Sequence, residues 1–546
     1  MKKKVISASL VVALGTTVAL TGCGGADEKA QADSKAAAEK VSPPGTFPIV
    51  KDKETLKVYN VGDPNIEDLN TNEFTKWYEN KTNIHVDWTV VPTTAKDEKL
   101  QVTLAGGDLP DVFMNAGISS SQLVALGSQG VFLPLNDLID KYAPNIKRVM
   151  EETASYSKPY FYAQDGNIYG LPNMGEVVHS TMPRKLWINK AWLDKLGLQV
   201  PTTTDELYNV LKAFKAMDPK IVPLSGANQA NNEIDGALMQ AFTYYERGTY
   251  VEVKDGQIQF SANTPGFKAG LAFMRKLVQE GLMQPEAFIQ DRKALTALAE
   301  DPAGSRLGAA SALYWGQFTV DNGPSGRYKD YVPVPVLKGP NGEAYGYDRG
   351  YAPLPGSFVI TKDAKNPVAA IRWIDWLYDE RTGIQEGASS SWGIEGQGWK
   401  RPAQGVLGLN GKQALVEPIV PFGTKTNIRW GQTAARFTAR DVQEGGVVTP
   451  DSKLESQLLD ITNKYYKPFA KPDSHVPFMF MSGDDLTKYG DVTKNIQNTV
   501  QQFMLKFITG NLDLDKDWDK YLKELDNAGL QQYIQILQSN YEKTKK

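Results

Sequence analysis

Cysteine is nearly missing from this chain. Its 546 residues include one, Cys23, so no disulfide can form within it and the core must be held by burial alone. Histidine is almost as scarce, with His85, His179 and His475 far apart. There is no HExxH, no CxxC and no Cys/His cluster, so the usual zinc signatures are missing. GxGxxG, GxxxxGK[ST] and GxSxG are absent too, and with them the common nucleotide and serine-hydrolase signals. Neither charge sign dominates: 60 basic against 63 acidic residues leave a net −3, which argues against a nucleic-acid partner. After residue 20 no apolar run is long enough to span a bilayer.

What is present is a folded, aromatic-rich composition: 41% hydrophobic, 23% charged, with 24 Tyr and 11 Trp. The residues after 50 suffice for two large domains. Ahead of them stands a leader. Lys2, Lys3 and Lys4 precede a mostly apolar stretch at 5–20, shorter than the roughly 20 residues a spanning helix needs, which reads as a secretory h-region. Leu20-Thr21-Gly22-Cys23 resembles the bacterial lipoprotein box, in which cleavage precedes the cysteine and lipid joins its sulfur. The plain alternative is an ordinary signal peptide with a chance cysteine. Two acyl chains, at about 0.8 kcal/mol per buried CH₂, would hold a protein stably where one would not. Residues 24–50 are rich in Ala, Lys, Glu, Asp and Ser and include Pro43-Pro44-Gly45. The expectation is a signal peptide over 1–22, a tether over 23–50 with a reach of roughly 30 Å, and a body on the outer face of the cell membrane.

Patterning then sets the fold class. Residues 56–59 and 84–91 read as strands, 74–80 and 95–104 as helices, and 111–114 as a third strand. Such β-α-β alternation implies a parallel sheet covered by helices. A second block opens with a strand at 186–189. Thr203 and Glu206 make a capping box ahead of a stripe of Leu207, Val210, Leu211 and Phe214. Asn366-Pro367 caps another helix, with Ala370, Ile371, Ile374, Leu377 and Tyr378 on one face. No internal repeat is found. The class is α/β, in two lobes.

One stretch imitates a calcium loop: Asp513, Asp515 and Asp517, with Glu524 at loop position 12. Trp518 stands where the sharp turn requires glycine, and Trp518, Tyr521, Leu522 and Leu525 follow helical spacing. Acidic residues just ahead of a helix suit its dipole, so no metal and no cofactor is expected. The 63 acidic residues leave a glycosidase-type carboxylate pair open.

Several segments resemble one family: LAGGDLPDVFMNAG (104–117), DGNIYGLP (165–172), LWINKAWLDKLGLQVPTTTDEL (186–207), NPVAAIRWIDWLYDE (366–380), WGIEGQGW (392–399) and the tail 508–541. With the lipoprotein box, and in that order, they are similar to the large extracellular solute-binding proteins, family 1, of bacterial sugar ABC transporters in their Firmicute form. The resemblance implies a type II binding-protein fold, two α/β lobes joined by hinge strands and closing on a solute. It places the N-terminal lobe at 51–183 and 357–425 and the C-terminal lobe at 187–350 and 430–546. The crossings would fall near 182–186, 349–358 and 423–430. Longer relatives often carry a calcium loop after the capped helix. Here 217–226 (MDPKIVPLSG) runs on without its ligands, so no metal is carried over.

In open α/β sheets ligands sit beyond the carboxyl ends of the strands, which selects Asn60 and Asp63 after the first strand and Asn115 after the third. Sugars need hydrogen-bonding side chains and flat aromatic platforms. Trp315, in SALYWGQ, ends an apolar strand where relatives often place a cleft tryptophan. Trp392 and Trp399 bracket a loop too glycine-rich to bury much of itself, and Glu395 within it could accept hydroxyl hydrogen bonds. Arg349 and Tyr351 at the second crossing, and Asn228 after Leu224-Ser225-Gly226, are further candidates. Each has a plain alternative as a turn, core or solvated residue. The reading is a monomeric, lipid-anchored binding protein that passes an oligosaccharide to an ABC permease. The alternative is a cell-surface lipoprotein glycoside hydrolase. A repeat-built adhesive surface protein fits poorly.

Overall fold

The structure, a computed structural model, describes residues 39–545 apart from 321–322, 422–423, 449–452 and 482. The leader, Cys23 and the tether up to residue 38 lie outside the described residues. Two short two-stranded pairs lie within 388–394 and 399–418. Among the described residues twelve further strands build two main sheets and one outlying hairpin. In chain order they are β1 (Glu54–Val61), β2 (Ile84–Val91), β3 (Val112–Met114), β4 (Leu171–Gly175), β5 (Lys185–Asn189), β6 (Val222–Ser225), β7 (Val251–Lys254), β8 (Gln257–Phe260), β9 (Leu307–Ala312), β10 (Tyr331–Val334), β11 (Leu354–Ile360) and β12 (Phe437–Thr438).

The first lobe holds the six-stranded sheet β12-β4-β11-β3-β1-β2. β1 pairs in parallel with β2 and β3, as alternation around the helix Glu73–Thr82 predicts. That helix starts where the Asn72 side chain accepts the Phe74 N–H and stops at Asn83, in the left-handed region at φ 60°. A wholly parallel sheet is not what forms: β11 runs antiparallel to β3 and β4. β11 is a return strand from the second lobe, so its direction is set by where the chain re-enters. The second lobe's sheet, β10-β5-β9-β6, is mixed for the same reason, with only β6 and β9 parallel.

The chain passes between the sheets at 176–184, at 335–353 and again after β12. The third passage lies later than the expected 423–430, because residues 430–439 belong to the first lobe. Trp430 is fully buried in that core, edge-on to Phe74 at 5.0 Å and near-perpendicular to Trp88 at 5.1 Å, and its indole N–H donates to Thr75 Oγ1 at 2.7 Å. The helix Lys453–Ile461 then joins the second lobe, packing with Trp187 and Trp315.

The expected tether also ends early. Ile49 and Val50 are fully buried, each contributing about 1.5–3 kcal/mol. Averaging over the polar stretch 24–50 hides these last apolar residues. Val41 bridges to Val50, and the Ile49 and Val50 amides donate to the Thr82 carbonyl at 3.0 and 3.4 Å.

The helix Pro367–Tyr378 is capped by Asn366 as expected, but residues 368–378 are all buried, not one face of them. A helix this apolar runs through a core. Thr203 caps the helix Thr204–Met217, whose expected stripe is buried. Glu206 reaches one residue further back than a capping box requires, accepting both the N–H and the hydroxyl of Thr202. In the second lobe these residues pack with the helices Pro265–Gln279, Gly483–Thr509, Trp518–Asn527 and Leu530–Thr544.

Candidate functional site

At the carboxyl ends of β1 and β3 two asparagines act together. Asn60, fully buried, donates from Nδ2 to the carbonyls of Met114 at 2.9 Å and Thr433 at 3.0 Å. Asn115, half-buried and at φ 47°, donates from its own Nδ2 to Gln432 O at 3.1 Å and Thr433 O at 2.7 Å. Both fasten the turn 430–436 over the sheet's end. Asn60 therefore positions that turn and is too deep to touch a solute, which corrects its sequence assignment. Asp63 is half-buried beside the same turn and accepts the Asn65 N–H at 2.8 Å.

The crossings supply the second set of groups. Arg349 donates from its backbone N–H to Thr181 O and from Nε to Ser180 O, both at 3.0 Å, tying the second crossing to the first. Lys185, fully buried, donates to His179 O at 3.0 Å and Met182 O at 2.6 Å. Burial, with Arg349 nearby, pushes its ammonium down to about 7. His179 is pushed to about 4 by burial and then by Lys185, so its ring is neutral near pH 7. Its Nδ1 lies 3.5 Å from the Glu455 carboxylate, itself raised by burial. Glu176, on the first crossing, accepts the Tyr156 hydroxyl at 2.9 Å and the Arg440 N–H at 2.8 Å. Tyr351 packs against Tyr156 at 5.1 Å, and burial, with Glu176 close by, raises its phenol. Sequence reasoning missed Glu176, Lys185, Glu455 and Arg440 and set His179 aside as a scattered histidine. No local motif marks them; only the crossings bring them together.

The tryptophans divide. Trp315 sits just past β9, at the second lobe's sheet end, 9% exposed and edge-on to Trp187 at 5.3 Å. Trp399 is fully buried with Ile384, Val416 and Val442, and its indole N–H donates to Gly393 O at 3.0 Å. It offers no face to a ligand, so its assignment as a platform is corrected. The glycines explain why: a Cβ on Gly393 would sit 2.4 Å from Ile428 O, and one on Gly398 would sit 1.8 Å from Trp392 O. Here glycine permits close packing instead of enforcing exposure. Trp392 is half-buried against the same small core. Glu395 is half-buried and pairs with Arg401 at 3.1 Å. Asn228 is exposed at the end of β6 and accepts from Arg247 at 3.2 Å.

The acidic stretch before Trp518 is used locally. Asp513 accepts the N–H groups of Asp515 and Lys516 at 3.0 Å, Asp517 accepts that of Asp513 at 2.9 Å, and Asp515 pairs with Lys268 at 3.0 Å. Among the described residues no group of three His, Cys, Asp or Glu side chains is arranged to hold a metal. Behind the first crossing a cavity of about 20 Å³, lined by Arg184, Tyr347 and Tyr466, has room for one water and no sugar.

Comparison with known proteins places this geometry. Residues 64–384 match the family described as bacterial extracellular solute-binding protein. The fructooligosaccharide ABC transporter substrate-binding protein FusA of Streptococcus pneumoniae serotype 4 is 31% identical over 99% of both chains. Its structure in complex with kestose covers 90% of this chain and 99% of its own, at 28% identity and a TM-score of 0.71. A solute-binding protein of Bifidobacterium longum infantis, described as binding HMO, shares the fold at 23% identity and a TM-score of 0.74, over 90% of this chain and 99% of its own. A type II binding-protein fold, in which crossing segments join two lobes, agrees with these likenesses, and a glycoside hydrolase finds no support in them. The chain belongs to the bacterial extracellular solute-binding proteins: it binds a solute and is not an enzyme.

Proposed function

We propose that the protein captures an oligosaccharide between its lobes and delivers it to the permease of an ABC importer, working as a monomer held to the outer face of the cell membrane by lipid on Cys23. The observation that carries the reading is similarity to the fructooligosaccharide-binding relative along 99% of both chains, crossings included. The proposed contacts are Asp63 and Asn115 from the first lobe, Trp315 from the second, and Arg349 and Tyr351 at the second crossing. Asn228, Trp392 and Glu395, each exposed or half-buried, complete the set. Asn60 shapes the first-lobe surface from beneath.

A thermal-shift screen of the protein lacking the leader and Cys23, against fructooligosaccharides and other oligosaccharides, tests the reading. A ligand at 100 times its Kd adds about 2.7 kcal/mol of stability. No shift with any oligosaccharide at millimolar concentration would overturn it.

A further inference from the structure

Strand direction places the loop after β6 on the side of the second lobe that faces the first. The first crossing enters β5 at its start, β5 runs antiparallel to β9, and β9 runs parallel to β6. The carboxyl ends of β6 and β9 therefore lie where the crossings arrive, which is where open α/β sheets take ligands. The loop 226–233 is fixed there from beneath. Asn232, fully buried, donates from Nδ2 to Ser311 O on β9 at 2.9 Å, and the Ser311 hydroxyl donates to Asn231 O at 3.1 Å. Arg247 gathers the loop's polar groups. Its Nε donates to Asp235 Oδ2 at 3.1 Å, its Nη2 donates to Asn228 Oδ1 at 3.2 Å, and its Nη1 lies 3.5 Å from Glu233 Oε1. Asp235 is buried and also accepts the hydroxyl of buried Tyr245 at 2.8 Å. Glu233 is left short of donors. Its Oε2 has no hydrogen-bond partner and its Oε1 has only the long contact with Arg247, while 13% of the side chain still reaches solvent. A largely buried carboxylate in that state costs stability until a donor reaches it.

We propose that Glu233, oriented by Arg247 and Asp235, is the second lobe's hydroxyl acceptor, and that it makes the cleft selective for neutral oligosaccharides over oligomers of uronic acid. The inference rests on the reading of an oligosaccharide site between the lobes. A sugar hydroxyl can donate to the Glu233 carboxylate, and Asn228 stands beside it for the next oxygen on the ring. A uronate carboxylate has no hydrogen to give. Glu233 and Asp235 against Arg247 leave the network one charge negative, and a second carboxylate placed there meets its own sign. The other cations of this corner are engaged. Arg292 donates to Asn232 Oδ1 at 2.8 Å and Ala230 O at 3.1 Å, and Arg184 lies 4.5 Å over the Tyr347 ring. Asp63, on the facing lobe, adds to the same sign.

The test is isothermal titration of the protein lacking the leader and Cys23, with trigalacturonate and with the neutral oligosaccharide of largest thermal shift, kestose being tried first. Trigalacturonate should bind at least about a hundredfold more weakly than the neutral sugar. Glu233→Gln keeps the shape and removes the charge. It should weaken the neutral sugar about tenfold or more and narrow the gap to trigalacturonate. Without ligand the same variant should melt at or above the parent temperature, because an underserved buried charge is gone. An ion pair that only held the loop would act in the opposite sense, and earlier melting with unchanged affinity would overturn the proposal. So would tighter binding of trigalacturonate than of the neutral sugar in the parent. A screen in which no oligosaccharide shifts the protein ends the reading of the function itself, whereas a neutral sugar that binds Glu233→Gln as it binds the parent ends only the role given to Glu233.

Discussion

Trp399→Ala separates a packing tryptophan from a sugar platform. The residue is fully buried among Ile384, Val416 and Val442, with its N–H bonded to Gly393 O. Truncating a buried tryptophan costs about 3–5 kcal/mol of stability. Losing the indole hydrogen bond, worth about 1 kcal/mol, and leaving the Gly393 carbonyl unpaired favours the upper part of that range. For a lobe of roughly 200 residues, each kcal/mol shifts the melting temperature by about 2–4 °C, so the first lobe should melt about 10 °C or more below the parent. Affinity should be unchanged at a temperature where both chains are folded. Calorimetric melting measures the first quantity and isothermal titration with an oligosaccharide from the screen measures the second. A variant that melts with the parent and binds about thirtyfold more weakly, a loss of about 2 kcal/mol, would refute the assignment and return Trp399 to the site.

Cys23→Ser should abolish incorporation of a fatty-acid analogue in cells and release the protein from the membrane, since serine cannot form the thioether; equal label in the variant would sink the anchor. His179 has a folded pKa depressed from 6.5 to about 4, so its contribution to stability is present above pH 6.5 and is lost as pH falls towards 4. His179→Gln should flatten the stability profile in that window by up to about 3 kcal/mol, and superimposable denaturation profiles for the two chains would contradict the buried neutral ring. Small-angle scattering with and without a confirmed oligosaccharide should give a slightly smaller radius of gyration when bound; identical curves would argue for a rigid, preformed pocket.

Much of the first lobe was legible because its pattern is local. β2 buries mainly one face, β1 alternates before burying Val58, Tyr59 and Asn60 in succession, and the caps at Asn366 here and at Thr203 in the second lobe lie within three residues of the amides they satisfy. The docking of residues 41–50 was not, because Phe47 meets Trp376, and Ile49 and Val50 meet Thr82, only after folding. Lobe membership of Trp430 failed for the same reason: its partners Phe74, Thr75 and Trp88 lie more than 300 residues earlier. Of the candidate site, the sequence pattern reached only the strand-end positions. Turn positions at strand ends follow from topology, which is how Asp63 and Asn115 enter the candidate set, whereas Glu176 and Arg440 meet across 264 positions. Glycine misled most. In WGIEGQGW it was read as a reason for exposure, yet Gly393 and Gly398 are there because neighbouring carbonyls leave no space for a Cβ.

The same contacts limit where a hinge can bend. Arg349 binds the first crossing through both its backbone and its side chain, and Arg440 N–H binds Glu176, so the three passages are laced together towards their first-lobe ends. Lys185 adds two bonds from the second lobe's sheet to the carbonyls of His179 and Met182. Hinges work by absorbing large φ/ψ changes at a few residues, and segments held by buried hydrogen bonds cannot do so cheaply. Rotation is left to positions beside the lacing. Gly350, at φ 64°, follows Arg349 directly with no atom within 4 Å of a would-be Cβ. Gly356, at φ 66°, lies where the pairing of β11 with β4 slips between Leu354 and Phe358. Gly350 lies near the first-lobe end of the second crossing and Gly356 just beyond it, within β11. Bending there would carry the laced crossings along with the second lobe, and Lys185 and Arg349 would keep their bonds to the first crossing as the lobes move.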